Sequence, residues 1–213
     1  MVRIRILGLV GSPRKAGSCA ALVDAAFAGA SAAGGDDVEL QKVHVADYPV
    51  KPCTGCDACL RRPNECPLDG KDEDRGPALW EKLKWADVVL VAAPSYFHGV
   101  PGALKNVIDR TRPLKMQGHA LKDKVFAPLT ASGLRHSGAE SVANALVEYA
   151  ITQGMVVVGA VGHPVVEGNL PVATLQKEAL KEFRGRDEAD PIATAVAERL
   201  GARVFELAKK LRA

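Results

Sequence analysis

Four cysteines lie within fourteen residues of one another and are the residues best suited to metal or redox chemistry: Cys53, Cys56, Cys59 and Cys66. Four thiolates can ligate zinc or an iron–sulfur cluster, and short Cys-x-x-Cys steps followed by Cys-Pro suit a compact four-iron cluster. Structural zinc sites more often pair two such steps across a longer insertion. Because the number of cysteines selects a metal only weakly, three alternatives stay open, namely a cluster, zinc or no metal.

A second candidate site is a loop of small residues near the N-terminus, Gly11-Ser12-Pro13-Arg14-Lys15-Ala16-Gly17-Ser18-Cys19. It follows an apolar run and precedes a helical pattern, and helix N-termini bind anions through free N–H groups and the helix dipole. Ser12 and Ser18 would add hydroxyl donors and Arg14 a positive charge. The spacing of the glycines fits neither a P-loop nor a Gly-x-Gly-x-x-Gly fingerprint. The simpler alternative is an ordinary turn with Ser18 as the N-cap.

Strands alternate with helices along the chain, which predicts a parallel sheet covered by helices on both faces. We expect strands at residues 3–10, 38–45, 87–93, 124–130 and 155–161, with helices between them. Five such strands fit a doubly wound sheet in the order 2-1-3-4-5. In this arrangement a ligand binds beyond the carboxyl ends of the strands, between strands one and three. The N-terminal loop would lie at that point.

The C-terminal part of the chain is predicted to be helical. We expect a domain at residues 1–162, with a cysteine-rich insertion at 51–70, and a helical extension of the same domain at 163–213. The extension would contain a helix at 175–183 and another that starts at Asp190-Pro191. Apolar residues three and four positions apart line the second helix, and we interpret this face as docked on the sheet rather than as a dimer surface.

Composition excludes several classes of protein. Of the 213 residues, 47% are hydrophobic and 25% charged, which is typical of a globular domain with a real core. No window has the roughly 18 apolar residues of a membrane helix, and the N-terminus lacks the apolar stretch of a signal peptide, so we expect a cytoplasmic protein with no membrane partner. A net charge of +3 and 5% aromatic residues argue against nucleic acid as a partner.

Three motifs at predicted strand ends identify a family. They are GSPRK at residues 11–15, APSYFHGVPGALKNVIDR at 93–110 and TASGLRHSGAE at 130–140. Together they resemble the NADPH-dependent FMN reductase family of flavodoxin-like flavoproteins, over about residues 4–160. The resemblance implies a flavodoxin-like FMN-binding domain. It also implies an oxidoreductase that takes electrons from NAD(P)H and passes them to a small acceptor, such as a flavin or quinone, or to a carrier.

The resemblance also implies which residues bind FMN. Those around the phosphate would be Ser12, Arg14, Ser18 and Cys19, although Cys19 stands where the family usually has threonine. Those around the isoalloxazine would be Pro94, Ser95, Tyr96, Phe97, His98 and Gly99. Its far side would be closed by Ser132, Gly133 and His136. No side chain is expected to be catalytic, because the flavin carries the chemistry and the protein supplies binding and orientation.

The cysteine segment resembles the iron–sulfur flavoproteins of the same superfamily, in which cysteines hold a four-iron cluster near FMN. This implies an alternative function, an electron-transfer protein that relays single electrons between partners. A zinc-stabilised binding module without enzymatic activity is a third hypothesis. Many relatives assemble so that subunits complete one another's flavin sites, and by this resemblance we expect a homodimer or homotetramer.

Overall fold

Four strands form most of a parallel sheet in the computed structural model, which describes residues 3–62, 65–179, 181–185 and 188–212. These strands are β1 (Ile4–Val10), β2 (Val38–His44), β3 (Val88–Pro94) and β4 (Val125–Ser132). All residues of β3 and β4 are buried, because helices cover both faces of the sheet. With β5 (Val156–Val157) at the edge, the order is β2-β1-β3-β4-β5, which confirms the predicted topology.

Helices divide between the two faces of the sheet. They are α1 (Ser18–Gly34), α2 (Ala58–Arg61), α3 (Gly76–Trp85), α4 (Gly102–Arg110), α5 (Arg112–Met116), α6 (Ala139–Thr152) and α7 (Pro191–Arg212). The face that carries Ile6 and Leu90 packs against α1 and α7, and the face that carries Leu7 and Val89 packs against α3 to α6. Across the described ranges, no helix is both long and apolar enough to cross a membrane.

The fifth strand is shorter than predicted. Strand pairing at residues 155–161 is confined to Val156 and Val157, which lie beside Val125 and Phe126. The chain then leaves β4, and the backbone N–H of Ala160 donates to Asn169 instead. A further strand, β6 (Val172–Thr174), pairs with the carboxyl end of β4. The prediction of one continuous strand was wrong because an apolar run does not show where its hydrogen-bonding partner changes.

The predicted helix at 175–183 is also wrong. In its described part, residues 175–179 and 181–183, the chain makes turns, and Gln176 and Phe183 form an isolated antiparallel bridge. The guanidinium of Arg184 donates to the carbonyls of Thr174 and Gln176, which ties this turn to the end of β6. In the described residues from 163 onward, helix begins only at Pro191.

The final helix confirms the prediction of a docked helix. Asp190 caps it, since its Oδ1 accepts from the backbone N–H groups of Ile192 and Ala193. Its buried side chains pack on α1 and the sheet: Ala193, Val196, Ala197, Leu200, Val204, Phe205 and Ala208. Two glycines allow α1 and α7 to approach closely, because a Cβ at Gly201 would lie 1.8 Å from the Ala26 carbonyl oxygen and one at Gly29 would lie 1.8 Å from that of Glu198.

Candidate functional site

A cleft of about 210 Å³ opens at the carboxyl ends of β1, β3 and β4, where the strand order reverses. Nine of the thirteen residues predicted to bind FMN line it, namely Ser12, Arg14, Ser18, Cys19, Pro94, Ser95, Tyr96, Ser132 and Gly133. Three loops that are far apart in sequence therefore meet at one place. Parallel strands explain this convergence, because their carboxyl ends share one edge of the sheet.

One end of the cleft is the N-terminus of α1. The helix begins at Ser18, its N-cap is Gly17 with φ 123°, and no side chain caps it. The alternative of Ser18 as the N-cap is thus wrong. The hydroxyl of Ser12 accepts a hydrogen bond from the backbone N–H of Arg14 at 3.2 Å, which holds the loop in a turn. Free N–H groups and an arginine at a helix N-terminus form a site that fits a phosphate.

Cys19 lies behind this loop and is 4% exposed. Burial raises the pKa of its thiol to about 12, although the charge of Arg14 opposes the shift. The thiol is therefore protonated at neutral pH. A neutral thiol is a weak hydrogen-bond donor and does not repel an anion, so this departure from threonine is compatible with a phosphate in the cleft.

The loop after β3 forms the opposite wall of the cleft. The backbone N–H of Ser95 donates to Ala131 and its hydroxyl donates to the carbonyl of Ser137, both at 2.7 Å. Tyr96 and Gly99 then exchange two backbone hydrogen bonds across a tight turn. The two residues inside that turn, Phe97 and His98, both have positive φ, and the side chain of Phe97 is fully exposed.

Four predicted residues do not line the cleft. Phe97, His98 and Gly99 lie in the exposed turn, and His136 has positive φ with its side chain almost entirely in solvent, 4.0 Å from Glu140. Their predicted contacts with the isoalloxazine stay predictions.

Four further residues line the cleft without having been predicted from the sequence, namely Ala16, Gly17, Ala131 and Leu175. Ala16 and Gly17 belong to the N-terminal loop and Ala131 adjoins Ser132, so the same motifs could have indicated these three residues. Leu175 follows β6 and carried no such signal, because this part of the chain was predicted as a helix.

A second cavity brings all four clustered cysteines together. Cys53, Cys56, Cys59 and Cys66 line it, and the structure records each of them as a free thiol. Within residues 3–62, 65–179, 181–185 and 188–212, no three Cys, His, Asp or Glu side chains are arranged as a metal site. Four cysteines in one cavity are the donor set of a four-thiolate centre, so the residue types fit such a centre. In this structure, however, the four sulfur atoms are not in ligating positions.

Polar groups around this cavity act on the cysteines. The pKa of the Cys56 thiol is lowered by hydrogen bonds from the backbone N–H of Ala58 and from the Thr54 hydroxyl. Arg61 donates to the carbonyl of Cys56 at 2.9 Å. Stabilisation of the thiolate form is what a metal-binding cysteine requires.

A buried arginine closes the cysteine segment against α4. Arg110 pairs with Asp74 at 2.9 Å and with Asp69 at 2.6 Å, and it donates to the carbonyl of Lys51 at 3.0 Å. The backbone N–H of Lys51 also donates to Asp74 at 2.8 Å. One guanidinium thus fixes both ends of the segment that carries the cysteines.

The two cavities have no lining residue in common. The cleft involves the loop before α4, whereas the cysteine cavity involves Asp109 and Arg110 at the C-terminal end of α4, together with α5. Gly102 and Arg110 are separated by about 12 Å along the helix axis, given the rise of 1.5 Å per residue. The cysteine segment follows the carboxyl end of β2, as predicted, but it lines a cavity of its own and contributes no residue to the cleft.

Comparison with known proteins gives the fold and the relatives of this chain. An iron–sulfur flavoprotein of Archaeoglobus fulgidus is 38% identical over 171 residues, which is 80% of this chain and 81% of the relative. One of Methanocaldococcus jannaschii is 30% identical over 210 residues, 98% of this chain and 100% of the relative. The solved structure of a flavodoxin, a WrbA-like protein from Agrobacterium tumefaciens, has a TM-score of 0.59 at 17% identity and covers 98% of both chains, which shows the flavodoxin-like fold.

The sequence profile of one enzyme family covers most of the same region. It is described as NADPH-dependent FMN reductase and matches residues 4–167, which include every motif that lines the cleft. The chain therefore belongs to the NADPH-dependent FMN reductase family of flavin-dependent oxidoreductases.

Proposed function

We propose that this chain binds FMN in the cleft at the carboxyl edge of the sheet, accepts electrons from NAD(P)H and passes them to a small acceptor or carrier. The observation that carries the proposal is the convergence of nine predicted FMN residues on one cleft beside an uncapped helix N-terminus. FMN, when bound, supplies hydride acceptance and electron transfer. The protein's part is to bind the cofactor, orient it and leave one face accessible.

At the α1 end, Ser12, Ser18 and Arg14 would hold the phosphate. Hydrogen bonds in which one partner is charged are about twice as strong as neutral ones, so Arg14 is expected to contribute most. Cys19 would contribute its backbone N–H and a neutral thiol.

At the other end, Pro94, Ser95 and Tyr96 would face one side of the isoalloxazine, and Ser132 and Gly133 the other. Ser95 donates hydrogen bonds to the carbonyls of Ala131 and Ser137. These bonds join the loop after β3 to the loop after β4, so the two sides of the cleft keep a fixed separation.

The exposed turn beside the cleft supports assembly with further copies of the chain. Tyr96, Phe97 and Leu134 are apolar side chains at least 45% exposed, and the first two belong to the loop that would border the isoalloxazine. A homodimer or homotetramer would cover these side chains and bring Phe97, His98, Gly99 and His136 against cofactor or acceptor.

The test is to add NADPH or NADH to the FMN-loaded protein under anaerobic conditions and to measure the loss of flavin absorbance. We expect either nicotinamide to bleach the flavin within minutes without another protein. Bleaching by dithionite but by neither nicotinamide would overturn the reductase proposal and favour an electron carrier.

The four-cysteine cavity supports a second candidate function, that of an iron–sulfur flavoprotein. Cys53, Cys56, Cys59 and Cys66 would hold a four-iron cluster, which supplies one-electron transfer when bound. All four line one cavity, and the relatives named above are iron–sulfur flavoproteins.

Iron, zinc and acid-labile sulfide, measured after anaerobic reconstitution, test this second candidate. We expect iron and sulfide in the native chain, their loss in Cys56→Ser, and their retention in Cys19→Ser, which changes the one cysteine outside the segment. Zinc without flavin would instead support the binding module. Flavin without iron, sulfide or zinc would leave the cysteines a structural role.

A further inference from the structure

One ion pair lies between two of the cysteines. Asp57 directly follows Cys56 and lies two positions before Cys59; it has φ 57° and precedes α2. Its Oδ1 lies 2.7 Å from Nη1 of Arg112, on α5. Left-handed backbone is uncommon for a residue other than glycine, so a side-chain anchor there helps to fix the path of the chain between the two thiols.

Arg112 and Asp57 differ from the other charged residues of the cavity because their ion-pair partner, each other, also lines it. Asp109 pairs with Lys105, Glu65 with Arg62, and Arg110 with Asp69 and Asp74, so each of these has partners outside the cavity lining. Arg112 and Asp57 both line the cavity. The pKa of Arg112 is raised, first by its hydrogen bond to Asp57 and also by the negative charge that Cys59 and Cys53 carry as thiolates.

We propose that Arg112 sets the reduction potential of a cluster held by the four cysteines, by placing a positive charge at the cavity and anchoring the backbone between Cys56 and Cys59. The inference rests on the cluster of the proposed function. A four-iron cluster with four thiolate ligands is negatively charged and gains one further negative charge on reduction. A cation beside it stabilises the reduced form and raises the potential, and an anion lowers it.

The test compares reconstituted native protein with four variants by a redox titration of the cluster with dithionite, monitored by electron paramagnetic resonance. We expect Arg112→Gln to lower the midpoint potential and Asp57→Asn to raise it, since asparagine keeps the left-handed backbone while it removes the charge. Arg112→Lys retains the charge and should restore a potential near the native one. Lys115→Gln, which removes a charge from the same helix outside the cavity lining, should leave the potential unchanged.

Opposite shifts in Arg112→Gln and Asp57→Asn support the proposal, because mere distortion of the loop would not reverse sign with the charge that is removed. A cluster whose potential is the same in all variants overturns this inference alone. Equal shifts in Arg112→Gln and Arg112→Lys overturn it as well, because charge would then not be the cause. Native protein that holds no iron after reconstitution overturns the cluster and, with it, this inference.

Discussion

The guanidinium of Arg110 donates to the carboxylate of Asp74 at 2.9 Å, and the two side chains are only 1% and 0% exposed. Burial opposes the ionisation of Asp74, but hydrogen bonds from the Lys51 backbone N–H and from Arg110 outweigh it and lower its pKa. Burial likewise disfavours the charged form of Arg110, but its hydrogen bonds to Asp74 and Asp69 outweigh burial and raise its pKa. Each group keeps the other ionised, and together they attach the cysteine segment to α4.

Removal of one partner should therefore be costly. Arg110→Met leaves the Asp74 carboxylate buried without its counter-ion, and we expect the free energy of unfolding to fall by about 3–5 kcal/mol. Urea denaturation followed by circular dichroism measures the change. Lys105→Met, which breaks an exposed pair with Asp109 on the same helix, is the control and should cost no more than about 1 kcal/mol. Equal losses in both variants would contradict a special role for Arg110.

The same pair predicts a dependence of stability on pH. Because the folded-state pKa of Asp74 is lowered, its contribution is fully present above the unfolded-state pKa of about 3.9 and is lost as the pH falls through the folded value. Asp74→Asn should therefore be less stable than the native chain at pH 7, and the difference should shrink below about pH 4. Urea denaturation at pH 7, 4 and 3 measures it. A difference that does not change with pH would show that ionisation of Asp74 contributes nothing.

Arg14 and Ser18, at the α1 end of the cleft, are predicted to hold the FMN phosphate. In the Arg14→Ala/Ser18→Ala double variant, the loss of a charge-assisted hydrogen bond of about 1.5–3 kcal/mol should raise the dissociation constant for FMN at least about tenfold. Quenching of flavin fluorescence on binding measures the constant. Lys15→Ala is the matched control, because Lys15 pairs with Asp47 and does not line the cleft. Unchanged affinity in the double variant would place the phosphate elsewhere.

The crossing of α1 and α7 predicts a steric effect. Alanine at Gly201 would place a methyl group 1.8 Å from the Ala26 carbonyl oxygen, so the two helices would have to separate. We expect Gly201→Ala to cost about 1–3 kcal/mol or more. In Gly102→Ala no atom lies within 4 Å of the new methyl group, so this control should unfold at nearly the native temperature. Thermal unfolding of the two variants decides whether the close approach matters.

The sequence determined strands β1 to β4 and the placement of the cleft. The run Val88 to Ala93 is apolar at every position, which predicts a strand buried on both faces, and the loop motifs follow the predicted strands directly. Since parallel strands end at one edge, these local signals were enough to bring Ser12, Ser95 and Ser132 together. The four cysteines were equally visible, because their spacing is short.

Only the tertiary structure decided contacts between distant segments. Arg110 meets Asp74 and Arg112 meets Asp57 because the cysteine segment folds back onto α4 and α5, and neither pair has a spacing that a helix or strand period would show. Leu175 reaches the cleft because the edge of β4 is shared between β5 and β6, which an apolar run at 155–161 could not indicate. Local periodicity fixes which elements form, whereas the pairing of their edges and of buried charges depends on the whole packed chain.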